Sequence, residues 1–318
     1  MSIIEALKQT AQADLKTIVL PEGNDPRVTQ AAEILADEKL VRPILLNGTT
    51  SHPGVTVIKT TGNRYRSELA ELLYQLRKRK KGVTRGYAET AVNAPLTFGA
   101  LMVRSQYADG CVAGAVHATR DVLQAALQII GLEEGNHLAS SVFLMILPDG
   151  RAITYGDCGM VPDPTAEQLA NIAVTSAGTH TQLTGETPKV AMLSFSTKGS
   201  AESESVQKVR TATELAQRLA PSMQIDGELQ FDAAFVPAIG ERKAAGSEVA
   251  GQANVFIFPN LDAGNIGYKI TERIGGAQAI GPLLQGFARP IHDLSRGANA
   301  EDIVMAAVVA AIQAQRLV

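Results

Sequence analysis

The run KTIVLPEGNDPRVTQAAEILADEKLVRPILLNG, residues 16–48, decides the fold. Its first piece, KTIVLPEG (16–23), is a short apolar strand ending in a turn. DPRVTQAAEILADEKL (25–40) reads as a helix, and RPILLNG (42–48) as a second strand. The apolar strand residues are contiguous rather than alternating, the pattern of strands covered on both faces. Strand–helix–strand with such strands predicts a parallel sheet flanked by helices. The same beat returns downstream. KVAMLSFS (189–196) reads as strand, SESVQKVRTATELAQRLA (203–220) as helix, and DAAFVPA (232–238) and NVFIFPN (254–260) as strands.

The middle of the chain breaks this rhythm. SSVFLMILPDG (140–150) followed by RAITYGDCG (151–159) predicts two strands joined at Asp149-Gly150, a strong hairpin signal. An antiparallel hairpin inside an α/β pattern suggests a second domain. The C-terminal stretch 300–315 has apolar residues at 303, 304, 307, 308, 311 and 312, a helical stripe that needs a partner surface. Packing it on the first domain makes that domain discontinuous. The expected division is therefore residues 1–133 plus 283–318 for one α/β domain and 134–282 for the other. Parallel or mixed sheets flanked by helices are expected in each, with a functional cleft between them.

Composition narrows the function. The chain has 318 residues, is 45% apolar and 19% charged, and carries a net charge of only -3, so it has no basic field for nucleic acid. No apolar run is long enough to span a bilayer. The start, MSIIEALKQTAQADLK (1–16), reads as an amphipathic helix rather than a signal peptide, which predicts a cytoplasmic location. Cys111 and Cys158 are too few for a disulfide framework. G-x-G-x-x-G after a strand, the phosphate-binding G-x-x-x-x-G-K-[ST] motif, H-E-x-x-H, C-x-x-C and G-x-S-x-G are all missing, which weakens dinucleotide, nucleotide-hydrolase, metal and hydrolase-elbow readings.

Five segments rich in small polar residues remain: AGAVHATRD (113–121), YGDCGMVPDPTAEQ (155–168), LSFSTKGSAES (193–203), FPNLDAGNIGYK (258–269) and LSRGANAED (294–302). Such loops let amide groups and hydroxyls approach an anion, although turns are built of the same residues. Together LPEGNDPRV (20–28), LSFSTKGSA (193–201), FPNLDAGNIGYK (258–269) and ARPIHDLSRGANAEDIV (288–304) resemble phosphate acetyltransferase, or phosphotransacetylase, in its short form. The similarity runs the length of the chain, in order.

The resemblance implies two α/β domains with a topology akin to the isocitrate and isopropylmalate dehydrogenases, a homodimer, and a reaction without a metal or a tightly bound cofactor. Acetyl-CoA and phosphate would give CoA and acetyl phosphate by direct attack in a ternary complex. Phosphate butyryltransferase shares the pattern, and a non-catalytic acyl-CoA or acetyl phosphate binder is the alternative outside enzymology. An NAD-linked decarboxylating dehydrogenase would need acidic metal ligands that the sequence does not cluster.

The resemblance also implies site residues. Ser295 would donate to the developing oxyanion. Arg296 and Arg273 would hold phosphate through guanidinium forks, with Thr119 beside them. Arg296 is equally readable as an ion-pair partner of Asp293 or Glu301. Asp302 would take the CoA thiol proton, but it also sits three residues after Asn299, where a carboxylate caps a helix. A free Asp titrates near ~3.9 and a free thiol near ~8.5, so a base role needs desolvation of the acid or a lowered thiol. Arg77, first in the basic run RKRKKG (77–82), would meet CoA phosphate or else close a solvated helix end. The chain departs from the family at Gln124, where an arginine is usual. Arg120, one turn earlier, is the expected substitute. Cys158 is expected to pack rather than react.

Overall fold

The computed structural model describes residues 1–316, which divide into two compact units: Met1–His137 together with the stretch from Phe287 onward, and Leu138–Gly286. The first unit opens with helix α1 (Ile3–Ala13), capped by a reciprocal Ser2–Glu5 pair. Strand β1 (Thr17–Leu20), helix α2 (Pro26–Asp37) and strand β2 (Arg42–Leu46) follow, with β1 and β2 parallel in the register Ile18–Pro43 and Leu20–Leu45. Asp25 caps α2, and Pro26 occupies the first turn, where its missing N–H costs nothing. Strand β3 (Thr56–Ile58), helices α3 (Arg66–Arg77), α4 (Arg85–Ala91) and α5 (Pro95–Arg104), strand β4 (Gly110–Ala113) and helix α6 (Thr119–Ala125) complete the first pass. Ile18, Val19 and Leu20 are all buried, as a strand covered on both faces requires.

The second unit begins with β5 (Ser140–Ile146) and β6 (Ala152–Gly156), antiparallel around a turn at Gly150. Helix α7 (Ala166–Thr184), strand β7 (Lys189–Leu193), helix α8 (Glu204–Leu219) and strand β8 (Gln224–Leu229) continue the α/β pattern. Two short helices come next, α9 (Phe231–Phe235) and α10 (Pro237–Lys243). The unit ends with β9 (Val255–Ile257), α11 (Leu261–Arg273) and β10 (Gln278–Gln285). Its mixed sheet has the order β10-β5-β6-β9-β7-β8. The strand expected over DAAFVPA is instead α9 and the start of α10. Pro237 opens α10, and Phe231 and Phe235, one helical turn apart, stack at 5.5 Å and pack on Phe256. The strand of this region is β8, a few residues earlier.

The chain then returns to the first unit with β11 (Ile291–Asp293) and α12 (Ala300–Ala314). β11 pairs parallel with β4 and completes the order β11-β4-β1-β2-β3. The two crossings fall at 137/138 and 286/287, later than 133/134 and 282/283. Leu283, Leu284 and Gln285 still pair with Val142, Ser141 and Ser140 of the second unit. Helix α12 packs on α1, α2 and β4 and is buried around its whole circumference from Ile303 to Ile312, not along one stripe. No helix among the described residues is long and apolar enough to cross a membrane.

Candidate active site

The link from β11 to α12 carries Ser295 and Arg296, and Asp302 stands in the first turn of α12. Leu294 N–H donates to Ala113 O, which ties the start of the link to the end of β4. Ser295 Oγ accepts the Gly297 amide at 3.2 Å, and Ser295 O accepts the Ala298 amide at 2.9 Å. Because the hydroxyl oxygen is engaged as an acceptor, its hydrogen stays available to a ligand. Ser295 and Arg296 are exposed. The expected ion pairs of Arg296 with Asp293 or Glu301 do not form, and among the described residues its guanidinium has no partner. Asn299 and Asp302 form a capping box at the mouth of α12. Only Asp302 Oδ2 is used there; Oδ1 takes no hydrogen bond among the described residues.

The loop after β4 is folded by a residue whose role the sequence did not reveal. Glu22 is buried, and its two oxygens accept the amides of Gly114, Ala115, Val116 and His117 at 2.7–3.0 Å. His117 Nδ1 adds a contact at 2.7 Å. Burial raises the Glu22 pKa, but the bonds from His117 and the amides outweigh it and hold the carboxyl below its ordinary range. The same bond to Glu22 raises the His117 pKa. Gly114 is required here: its φ is +109°, and a Cβ would lie 2.5 Å from both Asp293 Oδ1 and Leu294 N.

Thr119 is exposed at the start of α6, and its hydroxyl acts to lower the pKa of Asp293, the last residue of β11. Asp293 is buried, its Oδ1 has no hydrogen-bond partner among the described residues, and burial pushes its pKa up to about 6, with the nearby Glu22 carboxylate adding to the rise.

Arg77 ends α3 and lines a cavity of about 250 Å³ with Tyr87, Thr97, His117 and Gln124. Arg120 is exposed one turn before Gln124 and is not among the lining residues; Gln124 itself faces Arg77's cavity. Arg273 belongs to the second unit, at the end of α11, where it is largely exposed and lies 3.4 Å from Glu272. Cys158 is buried, and burial pushes its thiol pKa well up, as expected of a packing residue.

The second unit uses buried carboxylates in the same way as Glu22. Asp157 accepts the Ser141 hydroxyl and the amides of Gly159, Met160 and Val161, which folds the YGDCGMVP loop. Glu228 accepts the Ser196 hydroxyl and the Gly199 amide and pairs with Arg210 at 3.0 Å, which folds LSFSTKGSA. Burial opposes ionisation of Glu228, but Arg210 and the other donors bring its pKa down to about 2.

A family model described as "Phosphate acetyl/butaryl transferase" matches residues 2–311. The chain is 45% identical over 329 residues to "Phosphate acetyltransferase" of Acetivibrio thermocellus, covering 99% of each. It is 46% identical to the protein of that name from Thermoanaerobacterium thermosaccharolyticum, covering 99% of this chain and 100% of the relative. Among solved structures, a phosphotransacetylase from Streptococcus pyogenes superposes with a TM-score of 0.93 at 43% identity, over 98% of both chains. A branched-chain phosphotransacylase from Enterococcus faecalis, 18% identical, shares the fold with a TM-score of 0.72.

Proposed function

This chain belongs to the phosphate acetyl/butaryl transferase family, and we infer from that membership that it moves an acetyl group reversibly between coenzyme A and inorganic phosphate. Its activity is phosphate acetyltransferase activity, with CoA as a substrate. The attack is direct, within a ternary complex, and needs no tightly bound cofactor. In the direction that consumes CoA, Asp302 takes the thiol proton. The thiolate attacks the carbonyl carbon of acetyl phosphate, the C–O bond to phosphate breaks, and phosphate leaves. Ser295 donates its hydroxyl hydrogen to the carbonyl oxygen as charge gathers there. Arg296, with Thr119, holds the phosphate.

The observation that carries this reading is the contrast within one short link. Ser295 and Arg296 are exposed with their donors unspent, while Asp302 is fixed by its cap through one oxygen only. Arg77 meets CoA phosphate, with Arg120 as a second cation for the same substrate. Two bound substrates held in one orientation supply much of the rate.

The protein works as a cytoplasmic homodimer. Ile266, Ile270 and Ile274 repeat every four residues along and just beyond α11 and are 52–83% exposed. They adjoin an apolar groove of about 500 Å³ lined by Leu147, Ile153, Phe231 and Phe235. A second copy is the proposed cover for this face.

A thiol-release assay with acetyl-CoA, with and without phosphate, tests the reaction. Phosphate-dependent release is expected. Release that ignores phosphate, or none at all, removes the reading. Butyryl-CoA in the same assay reports the acyl preference, and acetyl-CoA is expected to be the better substrate.

A further inference from the structure

Every donor of the Arg27 guanidinium is engaged within the chain. Nε and Nη2 hold Asp25 Oδ1 and Oδ2 at 3.0 and 2.8 Å. Nη2 also donates to Ala115 O at 2.9 Å, and Nη1 donates to Arg296 O at 2.9 Å and Ala298 O at 2.7 Å. A guanidinium has five N–H groups in one rigid plane, and all of them are used here. Asp25 fixes the plane further, because its Oδ1 also accepts the Arg27 amide at the start of α2.

The three carbonyls belong to two separate loops. Ala115 lies in the loop that Glu22 folds and that leads to Thr119. Arg296 and Ala298 lie in the link that presents Ser295 and Arg296. We propose that Arg27 is a positioning residue for acetyl transfer, setting the spacing between the Thr119 loop and the Ser295–Arg296 link. The inference rests on the transferase reading above.

Arg27 has no donor left for a phosphate, so it does not act as a substrate ligand. Arg296, whose guanidinium has no partner among the described residues, is the opposite case. Arg27 also occupies the carbonyl oxygens of Arg296 and Ala298. Left bare beside the anion site, their partial negative charge would oppose the phosphate that Arg296 attracts. Lysine cannot replace the arrangement, because its three donors radiate from one atom and cannot span carbonyls of two loops while pairing Asp25.

The test is steady-state kinetics on Arg27→Ala and Arg27→Lys, alone and combined with Ser295→Ala. A misplaced catalytic group costs on the order of 10²-fold. Both single variants are expected to lose kcat by roughly 10- to 100-fold, with KM for CoA within about threefold of wild type. Because Arg27 acts through the link that carries Ser295, the double variant should lose much less than the product of the single losses. If Arg27→Ala does not fold, Arg27→Lys and Asp25→Asn carry the same measurements. Variants with wild-type kcat, or losses that multiply fully with Ser295→Ala, overturn the proposal. A wild-type protein with no phosphate-dependent turnover would instead sink the transferase reading, so the two failures are distinguishable.

Discussion

Asn299 and Asp302 cap each other at the mouth of α12: Asn299 Oδ1 accepts the Asp302 amide, and Asp302 Oδ2 accepts the Asn299 amide, both at 2.9 Å. Cap and base are therefore compatible roles for Asp302, since the cap uses one carboxylate oxygen and leaves the other open. Asp302→Asn keeps an oxygen for the Asn299 amide and should cost less than about 1 kcal/mol of stability. It cannot accept the thiol proton, and kcat in the CoA-consuming direction should fall on the order of 10²–10⁴-fold. Asn299→Ala should show the converse, with about 1 kcal/mol lost and a smaller drop in rate. Thermal melts alongside initial rates separate the two. A folded Asp302→Asn enzyme within a few-fold of wild type would leave the residue as a cap alone.

Ser295→Ala removes a hydroxyl whose oxygen is held by the Gly297 amide and whose hydrogen is free. We expect kcat to fall roughly 10²–10³-fold, the usual loss for one oxyanion donor, with the melting temperature unchanged. An equal rise in KM with kcat preserved would show that Ser295 binds the ground state instead.

Arg77→Ala should raise KM for CoA and acetyl-CoA by roughly tenfold, about 1.4 kcal/mol, with a smaller effect on kcat. Arg120→Gln should raise KM less, because Gln124 rather than Arg120 lines the Arg77 cavity. Titrating 3′-dephospho-CoA against CoA shows whether the lost contact was to a phosphate. Unchanged KM in Arg77→Ala would return the basic run to a solvated helix end.

Stability should fall as pH drops from 6.5 toward 4. His180 is buried in α7, its Nδ1 lies 2.9 Å from Thr154 Oγ1, and its Nε2 has no hydrogen-bond partner among the described residues, with Glu186 Oε2 at 3.7 Å. Burial lowers its pKa from 6.5 to about 4, and burial likewise brings His292 down to about 4. Above pH 6.5 both folded and unfolded chains carry these rings neutral. Below it the unfolded chain binds protons that the folded one refuses, so unfolding gains. Melting temperatures across this range should decline, and His180→Asn should flatten the decline. A flat profile in wild type would show that these rings accept protons without unfolding.

Ile270→Glu places a charge in the centre of the exposed α11 face. Sedimentation of wild type should give a dimer, and the variant a monomer with its circular dichroism intact. A monomeric wild type would remove the dimer, and a dimeric variant would remove this face as its interface.

The parallel sheets were readable because Ile18–Leu20 and Val190–Leu193 are contiguous apolar runs, a signal local to each strand. DAAFVPA misled because a short apolar run fits strand and helix alike; only the stacking of Phe231 on Phe235 and the placement of Pro237 distinguish them. Composition and position before a helix single out the link of Ser295 and Arg296, but the roles given to Ser295, Arg296 and Asp302 come from the family resemblance, since the same residues suit a helix cap. The work of Glu22 was not, because its amide partners stand 92–95 positions away and carry no side-chain signature. Arg27 is harder still: two of its acceptors are backbone carbonyls 269 and 271 positions on. Backbone partners leave no pattern in a sequence.

The fully buried helix α12 has a consequence for synthesis. It and β11 are the last elements of the first unit, yet the whole second unit is made before them. A ribosome adds about 5–20 residues per second, so β4 and the apolar faces of α1 and α2 wait on the order of ten seconds for their covering. During that interval the second unit, whose strands are contiguous in the chain, can close its own sheet. The unit whose synthesis begins first is thus the one that finishes last, and until α12 emerges its sheet and helices stay open and adhesive.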